Sequence, residues 1–400
     1  MQIAGREVTI TNPGKIVFPA LGLTKLELIE YYLAVADGAL RGVRDRPMVL
    51  KRFVKGIAAE AFFQKRAPEK RPEWVRVARL NYARGTFADE AVVDDAAGLA
   101  WAINLGCVDL NPHPVRSGDL DHPDELRIDL DPMPGVTWEQ ILDVAHVVHT
   151  VLTDHGLTAW PKTSGSRGFH IYSPIAPHWP YPTVRLAAQT VAREVELRAP
   201  DLATSKWWKE ERQGVFVDFN QNAKDRTVAS AYSVRATPDA RVSTPLRWDE
   251  VAQCRPEMFT VRSVAARFGQ IGDPWQGMQE VTGSLDALLE RADALGPAEK
   301  PPRGSGHDPT AGRRRPQRPL LEIARAKTRQ EAMAGYERWA TRHPAVASQL
   351  AEIDVLVDGM RGRSSLWYRI RVNLQHVPEA DRPEQEPLEV DYDPWEGIVW

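Results

Sequence analysis

Cysteine is nearly absent. Only Cys107 and Cys254 occur in 400 residues, and no CxxC pair is present. That excludes a zinc-finger cage or a disulfide framework and fits a reducing compartment. Long apolar runs are missing too: none approaches the ~20 residues that cross a bilayer. The opening MQIAGREVTI lacks the basic-then-apolar build of a signal peptide, so a soluble, cytoplasmic protein without membrane contact is expected. A strong net charge is also lacking, at -3 overall. Its distribution is uneven, however. Residues 1–80 hold 15 Lys+Arg against 8 Asp+Glu, a balance of +7, whereas residues 376–400 hold one Arg against eight acids. Such asymmetry hints at nucleic-acid contact at the basic end.

What is present is enough for a core: 43% of residues are hydrophobic, and the length suggests two domains or one with an appendage. Residues 1–270 alternate strand-like and helix-like segments. Thr24 and Glu27 have the spacing of a capping box that opens a helix over TKLELIEYYLAVADGAL. Further helices are predicted over 138–156 and from Tyr181, and strands over 126–131, 168–175 and 214–220. The mixture is α+β, or mixed α/β. Residues 296–319 are rich in Pro, Gly and Arg, including the run Arg313–Arg315, and read as a linker or loop. Residues 320–400 are expected to form a mainly helical extension with an acidic tail, leaving 1–295 as the main domain.

Within ELRIDLDP (125–132), Leu126, Ile128 and Leu130 alternate with Arg127, Asp129 and Asp131, the pattern of a half-buried strand. Two carboxylates ~4 Å apart repel by roughly 1 kcal/mol even in water. A divalent cation would remove that repulsion, because hard cations take carboxylate and phosphate oxygens. GVFVDFNQN supplies a third acid, Asp218. By itself a DxD is weak, being found also in phosphatases, in glycosyltransferases and at strand ends. Between these acids lies KTSGSRGFH (162–170). Gly165 and Gly168 permit close backbone approach to a ligand, Ser164 and Ser166 offer hydroxyls, and Arg167 and His170 offer donors. That is the make-up of a phosphate-cradling loop, though not a Walker sequence, or else of a structural turn. His146 and His149, three apart on a predicted helix, lack a third metal ligand and read as packing or surface residues.

The order DLDP, SGSRGxH, VDFNQN and YSVRA…VSTPLRW resembles the polymerase domain of bacterial DNA ligase D, in the archaeo-eukaryotic primase superfamily. The resemblance covers roughly residues 5–270. It implies a nucleotidyltransferase whose core is built on antiparallel or mixed sheets with flanking helices. Asp129, Asp131 and Asp218 would hold two Mn²⁺ or Mg²⁺ ions. Ser164, Arg167, His170, Gln221, Arg235 and either Lys51 or Arg52 would contact a nucleoside triphosphate, with His170 at the phosphates. Lys15 and Lys25 would grip a DNA 5′-phosphate, and Phe62 and Phe63 would meet the template. Asn111 stands where relatives carry a histidine, which His113 could replace after a loop shift. Arg167 stands where a lysine is common.

The resemblance further implies DNA repair, by end joining or excision-repair gap filling, with ribo- or deoxynucleotides added at a primer 3′ end. No ligase or nuclease signature is visible, which points to a stand-alone version. The expected partners are gapped or broken duplex DNA with a 5′-phosphate, a separate ATP-dependent ligase and an end-binding protein, the enzyme being nucleoid-associated when acting. The rival reading is a non-catalytic DNA-end-binding module. It would keep Lys15, Lys25 and the phenylalanines without needing three aspartates.

Overall fold

In the computed structural model, residues 1–82, 85–298, 318–361 and 366–394 are described. The chain divides into two compact units, one formed by Met1–Pro132, Val136–Ser205 and Gln213–Leu295, the other by Met133–Gly135, Lys206–Arg212 and Gly296–Trp400. Arg313–Arg315 lie outside the described residues. No helix among those described is long and apolar enough to cross a membrane.

Helix α1 (Lys25–Ala34) opens with the expected capping box, Thr24 and Glu27 satisfying each other's backbone donors. The predicted helix runs further, but the chain breaks at Val35 and a second helix, Ala36–Val43, follows. A first sheet then forms from β1 (Arg46–Arg52), β2 (Phe62–Gln64), β3 (Arg76–Asn81) and β4 (Phe87–Val93) in the order β2-β1-β4-β3, with β5 (Asn111–Pro112) also pairing with β1.

The second sheet has the order β7-β8-β6-β10-β9. Its members are β6 (Glu125–Pro132), β7 (Trp160–Thr163), β8 (Phe169–Pro174), β9 (Ala203–Thr204) and β10 (Val215–Asp218). All neighbours are antiparallel except β9 and β10. Helices α2 (Trp138–Asp154) and α3 (Tyr181–Arg198) pack on it. Leu126, Ile128 and Leu130 are buried along with Ile141, Val144, Val148, Val184 and Val191 of these helices.

Strand β6 departs from the half-buried expectation. Residues 125 to 130 are buried on both faces. The polar face tolerates this because its charges are paired. Arg46, wholly buried, bonds Asp124 and Glu125 at 2.5 and 2.6 Å, and Arg127 closes on Glu125 at 2.8 Å. Buried charge is retained only when paired and hydrogen-bonded. Arg127 is therefore held by Glu125.

The second unit corrects the mainly helical expectation for residues 320–400. It carries a three-stranded antiparallel sheet of β11 (Leu320–Ala326), β12 (Val355–Arg361) and β13 (Leu366–Asn373), with β13 central. One helix, α4 (Arg329–Arg342), closes its core through Ala332 and Trp339 against Leu321, Ile323, Ile370 and Val372. Alternation of apolar residues in LLEIARA marks a strand, and the helix begins only at Arg329, opened by the Thr328–Glu331 capping box.

Candidate active site

Strand register assembles the centre. In β6, Asp129 lies opposite His170 of β8 on one side and Asp218 of β10 on the other, while Lys162 of β7 lies opposite His170. Directly opposed residues point to the same face of a sheet. One row across four strands therefore reads Lys162, His170, Asp129, Asp218. Asp131, two residues along β6, shares the face. Asp129, Asp131 and Asp218 each bring a carboxylate oxygen within 4.8 Å of the others, with Asp129 buried and Asp131 exposed. An all-oxygen, triply anionic set of this kind fits hard divalent cations such as Mg²⁺ or Mn²⁺.

The acids are supported from behind. His170 Nε2 lies 3.1 Å from Asp129 Oδ1, and its Nδ1 lies 2.6 Å from Lys162 Nζ. Lys162, with no exposed surface, also donates to the Ala229 carbonyl at 2.9 Å and to Ser243 Oγ at 2.6 Å. Asp218 accepts from the Asn220 backbone N–H at 2.8 Å and from Gln221 Nε2 at 2.9 Å. Burial raises the Asp129 carboxyl to about 6, against the pull of Lys162 and Arg235. Burial also pushes the His170 imidazole well below its usual range.

Arg235 lies outside the sheet. It sits on a loop beside the isolated Val234–Val242 bridge, half-buried, donating to the Ser164 carbonyl at 3.3 Å. Its Nε is 3.9 Å from Asp109, whose carboxylate accepts from Lys51 at 2.9 Å. Burial would raise the Asp109 carboxyl, but Lys51 and Arg235 outweigh it and hold it below the ordinary carboxylate value. Asp109 thus ties two expected nucleotide ligands together. Asn111 Nδ2 donates to the Asp109 carbonyl at 3.4 Å. His113 is buried against Glu90 at 3.0 Å, and a loop shift that brought it forward would leave that buried carboxylate with the Tyr82 hydroxyl in place of an imidazole partner.

The glycines of the 162–170 loop serve the chain itself. A Cβ at Gly168 would stand 2.3 Å from the Leu130 carbonyl oxygen, and one at Gly165, where φ is +66°, would lie 2.7 Å from the Ser243 nitrogen. Ser164 Oγ accepts from the backbone N–H groups of Ser166 and Gly168 at 3.1 and 3.0 Å, so it caps its own turn. Arg167 is exposed.

The alternation of β1 separates the LKRF cations. Lys51 is opposite Phe63 and reaches Asp109, whereas Arg52 is opposite Phe62 and reaches the Leu105 carbonyl at 2.8 Å. Arg52 lines a cavity of about 310 Å³ together with Lys15, Lys25, Thr11 and Asn104. Lys25 donates to Thr11 Oγ1 and Asn104 Oδ1 at 3.2 and 3.1 Å, and Lys15 donates to the Val54 carbonyl. Burial first, then Lys15, lower the Lys25 ammonium below its ordinary value. Phe62 is exposed at the end of this strand pair. His146 and His149 pack on Trp248, the latter stacked at 3.8 Å.

Sequence reasoning missed Lys162 and Asp109. A signal existed for Lys162: counting outward from the 164–168 turn pairs it with His170. None existed for Asp109, whose partners come from positions 51 and 235.

A family model described as "LigD, primase-polymerase domain" matches residues 24–275. The multifunctional non-homologous end joining protein LigD of Mycolicibacterium smegmatis is 34% identical over 291 residues, covering 72% of this chain and 37% of that protein. The Pseudomonas aeruginosa protein of the same description is 29% identical over 297 residues, covering 71% and 34%. The chain thus spans little more than a third of the length of these relatives. A solved structure, the polymerase domain from Mycobacterium tuberculosis ligase D in complex with DNA, superposes with a TM-score of 0.65 at 32% identity, covering 69% of this chain and 99% of that one. With the matched region enclosing all three aspartates and the whole second sheet, the chain belongs to the LigD primase-polymerase domain family of nucleotidyltransferases.

Proposed function

We propose that the protein is a DNA-repair primase-polymerase that adds ribo- or deoxynucleotides to a primer 3′ end at short gaps or broken ends. The aspartate triad, held in register on adjacent strands, is the observation that carries this reading. Two Mn²⁺ or Mg²⁺ ions on Asp129, Asp131 and Asp218 would neutralise the triphosphate and the developing charge of phosphoryl transfer. Lys51 and Arg235, joined through Asp109, are the cations suited to the triphosphate, since this chemistry needs positioning and charge stabilisation more than covalent help. Lys15, Lys25 and Arg52 are the group suited to a 5′-phosphate across the gap. Phe62 and Phe63 would meet the template, where stacking on an aromatic ring contributes about 1–3 kcal/mol per base. The relatives' description as end-joining proteins supports work at broken DNA; a separate ligase and an end-binding protein would be its partners there.

The test is primer extension on a one-nucleotide-gapped duplex, with and without the downstream 5′-phosphate, using ribo- and deoxynucleotides in Mn²⁺ and in Mg²⁺. Extension should vanish in Asp129→Ala/Asp131→Ala and should rise with the phosphate. Tight phosphate-dependent binding without any extension by the wild type would instead identify an end-binding module.

A further inference from the structure

Lys162 has three acceptors and no exposed surface. Its Nζ meets the Ala229 carbonyl, Ser243 Oγ and His170 Nδ1 at 2.9, 2.6 and 2.6 Å. Ser243 has already committed its own proton, donating to the Thr163 carbonyl at 2.9 Å, so its oxygen must accept from Lys162. A carbonyl can only accept. An ammonium with three N–H bonds therefore fits the site completely, its third proton directed at His170 Nδ1.

That bond decides the imidazole. With Nδ1 accepting, the ring proton sits on Nε2, which faces Asp129 Oδ1 at 3.1 Å and donates to it. The opposite arrangement fails. A neutral amine would use its two N–H bonds on the two oxygens and accept from Nδ1–H. A bare Nε2 would then confront a carboxylate, and two acceptors at that distance repel. A protonated Asp129 or an imidazolium would relieve this: the first is no cation ligand, and the second still keeps Nε2–H on Asp129.

We propose that Lys162 is a positioning residue: it fixes the His170 tautomer, and His170 in turn holds one oxygen of Asp129 so that the carboxylate is aimed at the cation. The inference rests on the metal reading of the aspartate triad. It adds a residue that touches neither substrate nor metal, and it assigns His170 Nε2 to Asp129 in the nucleotide-free protein. Partners of this kind, one step behind a metal ligand, typically change metal affinity 10–100-fold when removed.

The first measurement is ¹⁵N NMR of the imidazoles in the metal-free full chain near neutral pH, with His170 assigned by its loss in His170→Gln. The expected spectrum has a protonated Nε2 and a bare Nδ1; a protonated Nδ1 in the wild type overturns the proposal without any Lys162 variant. The second is Mn²⁺ titration by electron paramagnetic resonance. Lys162→Met, of similar length but without donors, should mix the tautomers and weaken Mn²⁺ binding at least tenfold while circular dichroism stays native. Unchanged tautomer and affinity within twofold of wild type would overturn it. Wild-type protein that binds no Mn²⁺ would overturn the metal reading of the triad, and the spectrum would still decide the Lys162–His170 link by itself.

Discussion

Gly168 shows how closely one residue is tied to the centre. The oxygen a Cβ would strike belongs to Leu130, the residue between Asp129 and Asp131. Gly168→Ala must push β6 or the loop aside, and overpacking of this kind costs about 1–3 kcal/mol. A Tm several degrees lower and a large loss of extension are expected together, as read by calorimetry and a primer assay. A glycine serving only ligand access would lose activity at unchanged Tm. The sequence shows that these glycines matter but leaves a ligand-cradling loop and a structural turn both open. The backbone that actually crowds them comes from positions 130 and 242–243, far away in the chain. At this scale, residue types were legible and their contacts were not.

Among the elements, β1 makes the sharpest separation. Successive side chains of a strand point to opposite faces, which divides Lys51 from Arg52. Lys51→Ala should lower kcat/KM for the incoming nucleotide about 10-fold or more, the scale of one charge-assisted bond, and leave stimulation by the 5′-phosphate intact. Arg52→Ala should do the reverse. Steady-state kinetics on gapped duplexes with and without the phosphate measure both, and identical profiles for the two variants would count against the assignment. The pair was left unresolved in the sequence because LKRF does not reveal which face of its strand is turned toward the acids. Elements with strong local signals were legible: α1 through its cap, α2 and α3 through apolar periodicity, β6 through its alternation. The 320–326 strand was lost because it abuts a helix with no turn residues to separate them.

Over the whole molecule, the charge asymmetry raises the question whether the acidic tail competes with DNA for a basic groove. The structure uses several of those acids inside the second unit. Glu389 pairs with Arg338 at 3.0 Å, Glu386 with Arg342 and His343 at 3.1 and 2.9 Å, and the backbone of Val390 accepts from Arg325 at 2.7 Å. Val377 is part of that unit's core. Deleting residues 376–400 should therefore leave DNA affinity at low salt unchanged and make the second unit sensitive to limited proteolysis. A marked gain in DNA affinity would restore the competition idea.

Strand β1 also has a metric consequence. Two neighbouring residues on it reach Asp109 and the lysine cavity from opposite faces, so the offset between those two contacts is set by the thickness of one pleated strand. On the function proposed, β1 acts as a measuring stick: the protein cannot stretch to suit a longer gap, and the surplus length has to be taken up by the nucleic acid.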